Sequence, residues 1–105
     1  MPVLALKPGV RIHGIRPETH IGITICWSVF QSLGLDMTVT SVTEGKHSRG
    51  SLHYQGAAFD LRTRDMTFEQ KHAAVQGLAD ALGDDFDVVV EKTHLHIEYQ
   101  PKTPY

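Results

Sequence analysis

Apolar residues follow a helical period in two parts of the chain. In the first, every fourth position from Ile21 to Leu33 is apolar, Pro17 marks the entrance and Gly34 the end. The second begins with residues 67–70, TFEQ, which match a helix-capping box, and it ends at Gly83. The pattern therefore predicts two helices, each with a defined stop.

Short runs elsewhere alternate between apolar and polar residues, as half-buried strands do. They cover residues 37–42, 57–62, 87–91 and 94–99, and the polar residues 44–50 read as a loop. The order of helix, strands, helix and hairpin predicts an α+β domain with a small, mainly antiparallel sheet and both helices on one face. Residues 1–16 fit either an edge strand or a segment that wraps the surface.

Composition narrows the class of protein. With 105 residues, 41% of them apolar, the chain is expected to be a single domain, residues 1–105, with one modest core. A formal charge of −2 gives no reason to expect nucleic acid or an anionic membrane as partner. The lone Cys26 excludes an intramolecular disulfide and is expected to be buried. No signal peptide or membrane-spanning run is recognised, so we expect synthesis in the cytoplasm.

The final hairpin displays two imidazoles side by side. In the run HLHIEY, strand alternation places His94, His96 and Glu98 on one face and the residues at 95, 97 and 99 on the core face. If residues 92–93 form a two-residue turn, Glu91 lies opposite His94 and joins the histidines. A one-residue change of register would move the Glu91 side chain to the face opposite the two histidines.

The stretch SLHYQGAAFDLRT, residues 51–63, holds a histidine and an aspartate seven positions apart. In a straight strand His53 and Asp60 would point to opposite faces, but Gly56 allows a turn between them. Two neutral imidazoles and one carboxylate suit Zn²⁺ with a fourth position open for water, and Glu91 is the candidate base. Taken singly, each of these features is more often ordinary surface polarity.

The combined motifs carry a family resemblance. S-x-H-x-x-G-x-A-x-D at residues 51–60, followed by E-x-x-H-x-H at residues 91–96, resembles the zinc peptidases of the D-Ala-D-Ala carboxypeptidase and L-Ala-D-Glu endopeptidase group. The same fold carries the hedgehog amino-terminal signalling domain. That domain is especially similar to VTEGKHSRGSLHYQGAAFDLRTRD and VVVEKTHLHIE, and the resemblance extends from Thr38 to Glu98.

The resemblance also implies a role for each matching residue. It implies the following zinc ligands: His53, Asp60 and His96. Glu91 then matches the general base, and His94 the residue that stabilises the oxyanion or the metal-bound water. Ser51 matches a serine that holds substrate, and His47 a histidine near the metal. For Ser51 and His47, plain loop polarity is an equally good interpretation.

One departure from the family pattern affects the expected substrate. Many carboxypeptidases of the group carry an arginine that grips the substrate carboxylate in the strand before the loop. Here that segment reads TVTSVTEG, and Arg49 is the nearest guanidinium in the sequence. The departure favours cleavage inside a peptide stem over removal of its last residue.

The sequence therefore predicts a monomeric zinc peptidase that acts on the peptide stems of bacterial peptidoglycan, reaching the wall after release, as in phage lysis. A non-catalytic zinc-bearing binding module of the hedgehog type is the main alternative. A third is a nuclease with a histidine-hydrophobe-histidine motif, for which Tyr99 or Tyr105 would be the nucleophile.

Overall fold

A computed structural model of the chain describes residues 1–43 and 56–101. Its elements are β1 Leu4–Leu6, α1 Pro17–Ser32, β2 Met37–Ser41, β3 Ala58–Arg62, α2 Phe68–Leu82, β4 Phe86–Val90 and β5 His94–Tyr99. The strands form a five-stranded sheet in the order β1-β2-β3-β5-β4. All neighbours are antiparallel except β1 and β2. This confirms the predicted α+β class. Of the two alternatives for residues 1–16, an edge strand or a segment that wraps the surface, the structure has an edge strand, β1.

Both helices pack on one face of the sheet. Their buried side chains form a single core with the inward residues of β2, β3 and β5: Cys26, Phe30, Met37, Val39, Val42, Phe59, Leu61, Ala74, Leu78, Leu82, Leu95 and Ile97. Phe59, Leu61, Leu95 and Ile97 have no solvent exposure, as the strand alternation predicts. None of the described helices is long and apolar enough to cross a bilayer.

The face of helix α1 that packs on the sheet differs from the face with the most regular apolar spacing in the sequence. Its buried residues are Thr19, Gly22, Cys26 and Phe30, whereas Ile21 and Leu33 are 57% and 41% exposed. The reason is close packing, because a Cβ atom added at Gly22 would lie only 2.7 Å from the ring of Phe86. A small residue therefore faces the sheet where a large apolar residue would not fit.

Cys26 lies inside the core, as expected from its apolar neighbours. Burial raises the pKa of its thiol to about 12. The thiol is therefore neutral at physiological pH and serves as a small packing residue.

Helix α2 begins at the predicted capping box. The Gln70 amide donates a hydrogen bond of 3.1 Å to the Thr67 hydroxyl, and the Thr67 amide donates one of 2.9 Å to the Gln70 side chain. One turn later, the Lys71 ammonium donates to the backbone carbonyl of Glu91 at 2.7 Å. This bond ties the β4–β5 hairpin to the helix.

Candidate functional site

The face of the sheet away from the helices carries the predicted polar residues. In the register of β3 and β5, Asp60 lies opposite His96 and Arg62 lies opposite His94. Directly opposed residues of an antiparallel pair project to the same side. Asp60, His94 and His96 therefore share one face, opposite the buried Leu61 and Leu95.

Asp60 and His96 are in direct contact. Asp60 Oδ1 lies 3.0 Å from His96 Nδ1, and the second ring nitrogen, Nε2, lies 2.9 Å from Glu98 Oε1. His94 Nε2 is 4.0 Å from the other carboxylate oxygen of Asp60. The side chains of Asp60, His96 and Glu98 are only 14%, 21% and 17% exposed. The imidazole of His96 is thus clamped between two carboxylates in a partly desolvated position.

The carboxylates on either side raise the pKa of His96. The hydrogen bond from its ring to Asp60 is the largest cause, and burial, which favours the neutral ring, opposes it. The charges of Asp60 and Glu98 add to the increase. A proton on Nδ1 would complete the hydrogen bond between His96 and Asp60. A cation bound by both groups would replace that proton.

The register of the hairpin places Glu91 beside His94. The Glu91 amide donates to the His94 carbonyl at 2.9 Å, and Val89 lies opposite His96. Residues 92–93 therefore form the two-residue turn on which the expected position of Glu91 depends, and Glu91 projects to the His94 side. Its side chain is exposed. This arrangement leaves the carboxylate accessible to a substrate or a water molecule.

The chain just before β3 is locked by the amino-terminal segment. Gly56 has φ +69°, and an added Cβ would collide with the backbone of Gly14 and Ile15. Its carbonyl accepts hydrogen bonds from the Arg16 amide at 3.0 Å and from the buried Thr19 hydroxyl at 2.7 Å. The positive φ of Gly56 and these contacts fix the start of the strand that carries Asp60.

Four of the predicted site residues lie outside the described residues: His47, Arg49, Ser51 and His53. Their roles stay predictions. Within residues 1–43 and 56–101, no group of three or more His, Cys, Asp or Glu side chains could hold a metal ion. Asp60 and His96 supply one oxygen and one nitrogen donor, a combination that fits zinc, and the third predicted ligand, His53, lies outside the described residues.

Strand alternation predicts Glu98 on this face, but the sequence motifs imply no role for it. In the structure it contacts His96, and it also accepts a hydrogen bond from the side chain of Gln100. The opposing residue on β3 is Ala58, whose small side chain leaves room for a carboxylate. The spacing H-x-E within one strand was the available signal, because it puts both side chains on the same face.

Tyr99 lies on the helix side of the sheet. Its ring centroid is 5.3 Å from that of Phe86, the residue that packs under Gly22 of α1. The ring therefore points away from His94 and His96, which disfavours the nuclease hypothesis for Tyr99. Tyr105 lies outside the described residues.

The chain matches a known protein family. Residues 23–98 match the model of the hedgehog amino-terminal signalling domain. This segment includes both helices apart from the first turns of α1, all strands except β1, and the polar face. A search of curated proteins found no match. Because the matched segment covers most of the chain, the protein belongs to the hedgehog amino-terminal signalling domain family.

Proposed function

We propose that the protein is a zinc-dependent peptidase that cleaves the peptide stems of bacterial peptidoglycan. The observation that carries the proposal is the grouping of Asp60, His94 and His96 on the open face, with Glu91 opposite His94 in the hairpin. The resemblance of the S-x-H-x-x-G-x-A-x-D and E-x-x-H-x-H motifs to the zinc peptidase group supports the reaction type.

In this proposal the metal site consists of Asp60, His96 and His53. A zinc ion held there would polarise the scissile carbonyl and lower the pKa of a water molecule. Asp60 and His96 already lie at contact distance before metal binding. Such preorganisation lowers the conformational cost of forming the site.

Glu91 would accept the proton of the attacking water, and His94 would stabilise the developing negative charge. Glu91 is exposed beside His94 and takes the proton from the attacking water as general base. His94 Nδ1 lies 3.3 Å from the Thr93 hydroxyl. A hydroxyl that donates to Nδ1 leaves the imidazole proton on Nε2, the nitrogen that faces Asp60. That N–H would stabilise the oxyanion of the tetrahedral intermediate.

The proposed substrate follows from the resemblance and from the departure noted in residues 38–45. These residues lack the carboxylate-gripping arginine of many carboxypeptidases, which favours an endopeptidase that cuts inside a stem. Ser51 and His47 would contact the substrate, as the resemblance implies. The setting we propose is a phage-type lysis enzyme that acts on the cell wall after release.

Digestion of purified cell walls tests this proposal. The zinc-loaded protein should release new amino termini and stem fragments, detected by mass spectrometry, and the masses identify the cleaved bond. Glu91→Gln should abolish the fragments while keeping the fold and zinc binding, because the backbone contacts of Glu91 do not involve its carboxylate. Glu69→Gln, at an exposed carboxylate in the first turn of α2, is the matched control and should keep full activity. Intact walls after incubation with the zinc-loaded wild type would refute the proposal.

The family match favours a second candidate, a non-catalytic zinc-bearing binding module like the signalling domain. Here the same Asp60, His96 and His53 would stabilise the domain by holding zinc. This candidate predicts tight zinc binding and a raised melting temperature with zinc, without release of any wall fragment. The peptidase proposal predicts both effects together with fragment release, so one set of samples separates the two.

A further inference from the structure

Beside the candidate metal centre, the open face contains a strongly basic cavity. It has a volume of about 230 Å³ and the following lining residues: Lys7, Thr40, Arg62, Arg64, Thr93 and His94. Two arginines and a lysine contribute permanent positive charge, Thr40 contributes a hydroxyl donor, and none of the lining residues that the structure describes is a carboxylate. We call this cavity the basic pocket.

The basic pocket is built by the sheet register. Arg62 on β3 lies opposite His94 on β5, so both side chains project to the open face. Lys7 follows edge strand β1, where its backbone amide donates to Val39 of β2 at 2.9 Å. Thr40 follows Val39 and takes the opposite face from that buried residue. Segments far apart in the sequence thus bring their cationic and hydroxyl groups to one place.

The cations of the basic pocket have no counter-ion within the part of the chain that the structure describes. Among the residues that the structure describes, no ion pair or side-chain hydrogen bond involves Lys7, Arg62 or Arg64. Arg62 also borders a neighbouring cavity lined in part by Asp36 and Asp65, yet it forms an ion pair with neither. Positive charges of this density repel one another, and an anion bound among them relieves the repulsion.

His94 connects the basic pocket to the candidate metal centre. It lines the pocket, and its Nε2 atom is 4.0 Å from Asp60 Oδ2. A peptide bond held near Asp60 and His96 would therefore lie next to the basic pocket. A free carboxylate on a neighbouring part of that peptide fits the pocket, because a guanidinium presents paired N–H donors that match a carboxylate.

We infer that the basic pocket binds a free carboxylate of an acidic peptide substrate, with Arg62 as the main contact; this inference rests on the proposed function. It names the substrate class as stem peptides with a free carboxyl group close to the cleaved bond. Sequence order had pointed to Arg49 as the nearest guanidinium, whereas the fold places Arg62 directly opposite His94.

Peptide binding to the zinc-loaded Glu91→Gln protein tests the inference without turnover. The probes are N-acetyl L-Ala-D-Glu-L-Lys with free carboxyl groups, the same peptide with every carboxyl group amidated, and inorganic phosphate. Because charge-assisted hydrogen bonds are lost, we expect the amidated peptide to bind about tenfold more weakly. Chemical shifts of Arg62, Arg64 and Thr40 amides should respond to the free peptide only. Added salt should reduce the difference.

Arg62→Gln should bring the two peptide affinities to within about twofold of each other, since the main carboxylate contact is gone. Lys92→Gln is the matched control, because Lys92 is an exposed cation of the hairpin turn outside the pocket lining. It should keep the full preference for the free carboxylate. Lys7→Gln and Arg64→Gln, at exposed positions, provide independent variants if Arg62→Gln does not fold.

The outcomes separate this inference from the proposed function. Equal affinities for the free and amidated peptides overturn it, whether or not phosphate binds. Discrimination that is lost in Arg62→Gln, together with intact walls in the digestion assay, supports the pocket and refutes the peptidase. Wall cleavage with an unchanged KM in Arg62→Gln refutes the pocket and leaves the peptidase standing.

Discussion

Replacing Glu98 by glutamine tests the chemistry of the candidate metal centre through a residue that is not itself a proposed ligand. The structure places Glu98 Oε1 2.9 Å from His96 Nε2, while His96 Nδ1 faces Asp60. A carboxylate on the outer nitrogen of a metal-binding histidine fixes its tautomer and makes the inner nitrogen a better donor. Glu98 should therefore strengthen zinc binding by positioning His96.

The size of the effect follows from the burial of the pair. Loss of such a partner typically costs about 10- to 100-fold in metal affinity. Glu98 and His96 are 17% and 21% exposed, so water can partly replace the lost partner. Glutamine also keeps one acceptor oxygen. We therefore expect Glu98→Gln to weaken zinc binding about tenfold, or about 1.4 kcal/mol. Glu98→Ala, which keeps no acceptor, should lose more.

Competition with a chromophoric chelator at pH 7.5 measures these affinities. Glu69→Gln makes the same chemical change at an exposed helix position and should bind zinc like the wild type. Nitrogen-15 NMR of the zinc-loaded protein should find the His96 proton on Nε2. Wild-type affinity, within about twofold, in both Glu98 variants would show that Glu98 does not act through His96.

Three further predictions concern stability. In the metal-free protein the pKa of His96 is raised. Its contribution to the stability of the fold is therefore complete below about pH 6.5 and is lost as pH rises through the folded-state pKa. Denaturant unfolding with a chelator present, from pH 5.5 to 8.5, should find that the free energy of unfolding of the wild type exceeds that of His96→Gln most at low pH. A difference between the two free energies that grows with pH would contradict this. Thr63 is buried and its hydroxyl lacks a hydrogen-bond partner within the described residues. Thr63→Val should therefore raise the free energy of unfolding by about 1 kcal/mol in thermal melts, and a lower melting temperature would count against this. Gly56→Ala should cost about 2 kcal/mol or more, because it combines positive φ with a collision against Gly14. Gly9→Ala is the control, because Gly9 also has a positive φ but has open space around it. If both variants lowered the denaturation midpoint equally, the collision at Gly56 would not contribute to the loss.

Local patterns in the sequence determined the elements and much of the polar face. The capping box at Thr67 and Gln70 and the hairpin of β4 and β5 both formed as predicted. They depend on hydrogen bonds between residues a few positions apart, which the sequence specifies directly. Alternation along β5 likewise separated His94 and His96 from the buried Leu95. Recognition of the family motif added Asp60 to the same site.

Tertiary structure alone decided which surfaces meet. Helix α1 has apolar residues on several faces, and the ring of Phe86 selects the face with Gly22 because only a small residue fits there. The parallel edge strand β1 brings Lys7 to Arg62 and Arg64, which no local period relates to it. Periodicity reports which side chains of one element share a face. The partner of that face is set by packing between distant segments, and so is the charge of the basic pocket.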